Sequence, residues 1–182
     1  MTAARLPRRL TTPAMLFREY SPADRDACLA LFDGNVPRYF APHERDGFAG
    51  FLDALPGPYF VVEEDGAVVA CGGYAFEPGS GEVALCWGIV DARRQREGIG
   101  TLLTAERLRL AAADSSPRSG RGGAAEGSGA VIRTSQHTAE FYARLGFTVT
   151  RVEADGHAPG IDFVEMRLAA PAEPPAAVEG SR

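Results

Sequence analysis

Residues 87–103, WGIVDARRQREGIGTLL, constrain this chain more than any other segment. They read as the end of an apolar strand, a polar turn, and two glycines at the mouth of a long helix. A helix N-terminus exposes unpaired N–H groups and the positive end of the macrodipole. Glycine lets the backbone approach an oxyanion with no Cβ in the way. The segment therefore suits an anionic ligand, most simply a pyrophosphate.

Several anion-binding architectures share this arrangement. A dinucleotide fold needs G-x-G-x-x-G, and Leu103 stands where the third glycine belongs. A phosphate loop needs Gly-Lys-Ser/Thr at its end, and the segment has none. On these residues alone, a plain helix start with loop glycines remains open.

Composition removes other classes. The net charge is −5, which does not favour a nucleic-acid binder, because phosphate backbones need a concentrated positive surface. No apolar run reaches the roughly 18 residues that cross a bilayer. Cys28, Cys71 and Cys86 make no disulfide framework, and His43, His137 and His157 form no zinc motif, so no metal is expected. The 21 Gly and 13 Pro are numerous for 182 residues. Many fall in residues 114–130, a Gly/Ser-rich stretch expected to be a flexible loop, and in 169–182, a Pro/Ala-rich tail expected to be disordered. Residues 1–14 carry three Arg and no acid. They lack the apolar core of a secretory signal and read as a flexible extension, with a cytoplasmic location expected. The remainder is therefore more acidic than the whole chain, which favours a cationic partner.

The region 15–168 reads as one domain of alternating strands and helices. Strands are expected at Leu16–Tyr20, Tyr59–Glu63, Val68–Phe76, Glu82–Val90, Ala130–Arg133, Phe147–Glu153 and Ile161–Leu168. A helix starts at Ser21-Pro22 and turns Cys28, Leu29, Leu31 and Phe32 inward. Further helices are expected at Pro42–Leu55, Gly98–Ala113 and Thr138–Leu145, with Leu102, Leu103, Leu108 and Leu110 available for burial in the third. This order gives an α/β (α+β) fold, a mixed sheet with helices packed on it. Regular alternation would put Glu82, Ala84, Cys86, Gly88 and Val90 on one face, and a bulge would break that parity.

Two motifs carry a family resemblance. Gln95-Arg96-Glu97-Gly98-Ile99-Gly100 resembles Q/R-x-x-G-x-G/A, the coenzyme A pyrophosphate loop of the GNAT acyltransferase superfamily. Thr134–Phe147 resembles that superfamily's later motif, a short helix with an aromatic pair followed by Leu-Gly-Phe. The likeness spans Leu16 to Leu168, and Asn35-Val36-Pro37 and Gly72-Gly73-Tyr74 are similar to segments of small uncharacterised GNAT proteins. It implies a mostly antiparallel central sheet of about six to seven strands with about four helices. It also implies acetyl-coenzyme A as co-substrate and a small-molecule or peptide amine as acceptor, in a monomer or homodimer.

Residue roles follow from the same resemblance. Gly88, Ile89 and Val90 should offer backbone groups to the pantetheine arm. The N–H groups of Gln95, Arg96, Glu97, Gly98, Ile99, Gly100 and Thr101 should hold the pyrophosphate, with Arg94 and Arg96 adding charge. Glu97 departs from the usual basic or small residue and should point to water. Ser135 should cap its helix or bond a pantetheine amide. Tyr142 matches the tyrosine that protonates the departing thiolate, its alternative being a packed core residue. Glu82 is the candidate base. Cys86 is expected to be inert packing, which leaves direct transfer in a ternary complex. Asn35, Tyr39, Phe40 and Trp87 are expected to line the acceptor pocket. A coenzyme A-binding sensor without turnover would carry the same cofactor residues.

Overall fold

The computed structural model describes residues 15–115 and 129–170. The N-terminal extension, nearly all of the Gly/Ser-rich loop and the tail beyond residue 170 lie outside the described residues. The chain runs β1 (Leu16–Glu19), α1 (Arg25–Asp33), α2 (Glu44–Ala54), β2 (Tyr59–Glu64), β3 (Ala67–Phe76), β4 (Val83–Val90) and α3 (Ile99–Asp114). It then continues with β5 (Ala130–Thr134), α4 (Gln136–Arg144), β6 (Thr148–Ala158) and β7 (Ile161–Leu168). Every predicted element is present. The expected start of α4 at Thr138 moves forward to Gln136, and β6 runs on to Ala158.

One seven-stranded sheet has the order β1-β2-β3-β4-β5-β7-β6. All pairs are antiparallel except β4–β5, which is parallel because α3 crosses between them. Alternation in β2 splits the core between the two faces. Tyr59 and Val61 join Cys28, Phe32, Phe48 and Cys71 under α1 and α2. Phe60 and Val62 face the side covered by α3 and α4, with Tyr74, Leu85, Ile132, Met166, Ile99 and Leu103.

Asp24 fixes the entry to α1. Its carboxylate accepts from the Ser21 backbone N–H at 2.8 Å and takes two Arg18 guanidinium nitrogens at 2.8 Å each. Those bonds to Arg18 depress its pKa to about 2. Cys28 and Cys71 are fully buried, and the Cys28 thiol is pushed upward by the hydrogen bond it gives to Cys71 and by burial. Both are packing residues.

Two sequence expectations change at β4 and α3. β3 and β4 slip register between Cys71 and Gly73, and Trp87 has φ 37°. The bulge breaks the regular alternation. Cys86 lies on the α1/α2 face opposite Gly73, whereas Gly88 lies against α3. On α3, Leu102 is 36% exposed rather than buried. The buried stripe is instead Ile99, Leu103, Thr104, Arg107 and Ala111.

Candidate active site

β4 and β5 pair only at Val83–Ala130, Ala84–Val131 and Leu85–Ile132. Beyond Leu85 the strands have no pairing, so Cys86–Val90 borders a fork in the sheet. The resemblance placed the pantetheine contacts of Gly88, Ile89 and Val90 along this open edge. Two side chains hold the bulge. The Tyr59 hydroxyl donates to the Trp87 carbonyl at 3.0 Å, and Arg107 Nη1 lies 3.4 Å from the Cys86 carbonyl. Cys86 hydrogen-bonds the Ala84 carbonyl at 3.4 Å, and burial raises its thiol pKa against the opposing charge of Arg107. Nothing there activates it as a nucleophile.

The glycine loop leaves β4 through a turn in which Asp91 accepts from the Arg93 N–H at 2.9 Å. Arg96 (φ 68°) and Gly98 (φ 87°) are both left-handed, at the mouth of the sixteen-residue α3. Left-handed residues at a helix mouth turn successive N–H groups toward one concavity. A Cβ added at Gly98 would meet nothing within 4 Å. The cradle is therefore open, and its donors are backbone N–H groups, which fits a pyrophosphate.

Gly100 is different. A Cβ there would lie 3.3 Å from the Phe141 ring and 3.7 Å from a Val90 methyl. The aromatic of the second motif thus packs on the glycine of the first.

Two of the loop's charges pair with each other. Arg94 pairs with Glu64, and its Nε donates to Glu97 at 2.7 Å. These carboxylates raise its pKa. Arg94 is thus a brace between β2 and the loop, and Glu97 reaches this arginine while staying exposed to water, as expected. Arg96 and Thr101 are exposed on the loop and the first turn of α3.

Gln95 joins this loop to the segment between α1 and α2. Its Oε1 accepts from the Tyr39 hydroxyl at 2.9 Å, and its Nε2 donates to Asn35 Oδ1 at 3.1 Å. Asn35 Nδ2 donates to the Leu31 carbonyl at 2.8 Å and the Val90 carbonyl at 3.0 Å. Asn35 is buried. Its side chain bridges α1, the end of β4 and the glycine loop. Phe40 and Trp87 do lie together, with ring centroids 6.0 Å apart, in a cluster with Phe32, Phe48 and Phe51.

Tyr142 is 6% exposed, packed edge-on between Phe141 and Phe147. Among the described residues its hydroxyl has no hydrogen-bond partner, and no side-chain polar atom is both sealed and unpaired. The hydroxyl is therefore free to meet a ligand atom. Ser135 is buried and makes no side-chain cap; its carbonyl accepts from the Thr138 and Ala139 N–H groups at 3.1 and 3.2 Å. Glu82 precedes β4, and both of its oxygens engage Arg167.

One contact was not foreseen. His157 Nδ1 lies 3.6 Å from Glu44, and its Nε2 lies 3.1 Å from the Thr134 carbonyl. The β6–β7 hairpin therefore meets the start of α2 across the end of β5. His137 meets the Tyr39 ring edge-on at 6.3 Å.

Fold and loop together define a class: an α/β domain with a left-handed glycine loop at a helix mouth beside a forked sheet. Residues 56–149 match the family model described as Acetyltransferase (GNAT) domain, and the chain belongs to this family of acetyltransferases. Three solved structures share the fold. A GNAT-family protein of Desulfovibrio desulfuricans is 24% identical with a TM-score of 0.67, over 86% of this chain and 99% of that one. The ribosomal-protein-S18-alanine N-acetyltransferase of Escherichia coli is 15% identical with a TM-score of 0.67, over 90% and 98%. YncA of Salmonella typhimurium, solved with its cofactor acetyl-CoA, is 20% identical with a TM-score of 0.64, over 90% and 99%. No curated protein matches the chain. Among the described residues, no helix is long and apolar enough to cross a membrane.

Proposed function

We propose that this protein transfers an acetyl group from acetyl-coenzyme A to a primary amine by direct attack in a ternary complex. The observation that carries this is the open left-handed cradle at Gly98 leading into the β4–β5 fork, with the unpartnered Tyr142 hydroxyl on α4. The N–H groups of Gln95–Thr101 hold the pyrophosphate, and the Gly88–Val90 edge takes the pantetheine arm. The thioester supplies the activated acyl carbon. The amine nitrogen attacks that carbon, the N–C bond forms and the C–S bond breaks. Tyr142 gives its proton to the departing thiolate. The nitrogen's surplus proton leaves to water and solvent reprotonates the tyrosine, so the products are an amide and free coenzyme A. Glu82 stands three residues before Leu85, about 10 Å along an extended strand, so it accepts a proton only through intervening water. An amino group on a small molecule or a peptide terminus suits the acidic body of the domain.

The Glu82–Arg167 pair favours one second reading, a coenzyme A-binding module without turnover, because it occupies the candidate base. A thermal shift screen tests the cofactor half of the proposal. At about 100-fold Kd, acetyl-coenzyme A should raise Tm by roughly 5 °C or more, and NAD should leave it unchanged. No shift with coenzyme A or its acetyl ester would refute both readings.

A further inference from the structure

Arg107 is 1% exposed and heads the fully buried side chains by volume. Among the described residues it has no carboxylate partner. Its guanidinium meets only neutral oxygens: Leu103 O at 3.2 Å, Thr104 Oγ1 at 3.3 Å, and Gly73 O and Cys86 O at 3.4 Å each. Burying a cation without a counter-ion opposes folding, and an apolar side chain of similar length would fill the same space without that cost.

The surroundings are fitted to the charge. A Cβ at Gly72 would lie 3.0 Å from Nη1, and one at Gly88 would lie 3.0 Å from Nη2. Both residues belong to the β3–β4 bulge, where glycine leaves room for the guanidinium beneath the strand. From the other face, Tyr59 ties the Trp87 carbonyl. The bulge is therefore clamped from both sides at the point where β4 leaves β5.

We propose that Arg107 is a positioning and electrostatic residue for acyl transfer: it fixes the Cys86–Gly88 bulge and supplies a permanent positive charge behind the fork. Attack on a thioester puts negative charge on the carbonyl oxygen. A fixed charge in a water-poor interior stabilises that oxygen more than it stabilises the neutral ground state. Arg107 touches neither substrate; it acts through the strand edge. This rests on acetyl-coenzyme A binding at the fork, as proposed above.

The test needs no acceptor. Acetyl-coenzyme A with a carbon-13 thioester carbonyl is bound to the full-length protein, and its stretching band is read by infrared difference spectroscopy. The band should move to lower frequency on the wild type and return toward its free position on Arg107→Met, with coenzyme A Kd by calorimetry within about threefold. With any amine that is turned over, Arg107→Met should lower kcat by about 100-fold at nearly constant KM for acetyl-coenzyme A. An unshifted band on the wild type, or a shift that survives in Arg107→Met, overturns the proposal. If Arg107→Met does not fold, Arg107→Lys keeps the charge and must keep the shift; its loss is equally fatal. Failure of acetyl-coenzyme A to bind at all instead strikes the functional reading itself.

Discussion

The two sides of β4 are built from different materials. On the α3 side the site is mostly backbone: left-handed Arg96 and Gly98, the N–H groups of a helix start, and an unpaired strand edge. On the α1/α2 side it is mostly aromatic rings, with Trp87 lying 5.0 Å from Phe48 and 6.0 Å from Phe40. The difference teaches where each side is fragile. Backbone donors tolerate sequence change but not a change in φ. A ring cluster tolerates no loss of volume, because its rings are themselves the core.

The largest expected effect lies on the α3/α4 side. Tyr142→Phe should lower kcat by about 10²–10⁴-fold while coenzyme A affinity by calorimetry stays within about threefold. An unchanged kcat would make Tyr142 a packing residue and leave the backbone side a binding surface only.

A pair of variants separates the two materials. Phe48 is fully buried, so Phe48→Ala should cost about 3–5 kcal/mol in urea unfolding. Gly98→Val places a β-branched residue at φ 87° in open space. It should cost only about 1–2 kcal/mol of stability but weaken coenzyme A binding at least about tenfold. Equal losses of binding in both variants would erase the distinction.

Asn35 joins the sides through Val90 and Gln95. Asn35→Ala leaves these buried groups without a partner and should destabilise the domain by about 1–3 kcal/mol. It should also raise KM for cofactor and acceptor together. A rise in only one would mean that the bridge is not shared.

The smallest effect lies on the aromatic side, where Asp24 anchors α1. Its pKa is depressed to about 2 by Arg18, against about 3.9 in an unfolded chain. The unfolded state therefore binds the proton first, and the contribution is complete above about pH 5 and lost as pH falls through 4 toward 2. Urea midpoints should be flat from pH 5 to 7 and decline below, less so in Asp24→Asn, by about 2 kcal/mol at most.

The backbone side was legible in the sequence for a physical reason. Gly98 is needed for a positive φ, and Gly100 is needed for the approach of Phe141, so both constraints are written as residue types. The Leu-Gly-Phe turn is legible likewise, since Gly146 has φ 92°. The aromatic side was legible only as core. Asn35 and Tyr39 were expected in a pocket wall, and the bridge they build with Val90 and Gln95 was not foreseen, because those partners lie 55 to 60 residues away, a separation that local patterns do not encode. The bulge at Trp87 moved Gly88 and Val90 off the expected face because two-residue periodicity carries no mark of an extra residue. Arg107 was hidden by the rule that buried helix positions are apolar, and Leu102 took its place in the expected stripe.

Amine-dependent thiol release from acetyl-coenzyme A tests the central claim most directly. A panel of small amines and peptide N-termini would be offered to the full-length protein, with free coenzyme A thiol read continuously. Release should saturate in both substrates and fall at least about 100-fold in Tyr142→Phe. Tight coenzyme A binding with no amine-dependent release across the panel would contradict it and leave a binding module in its place.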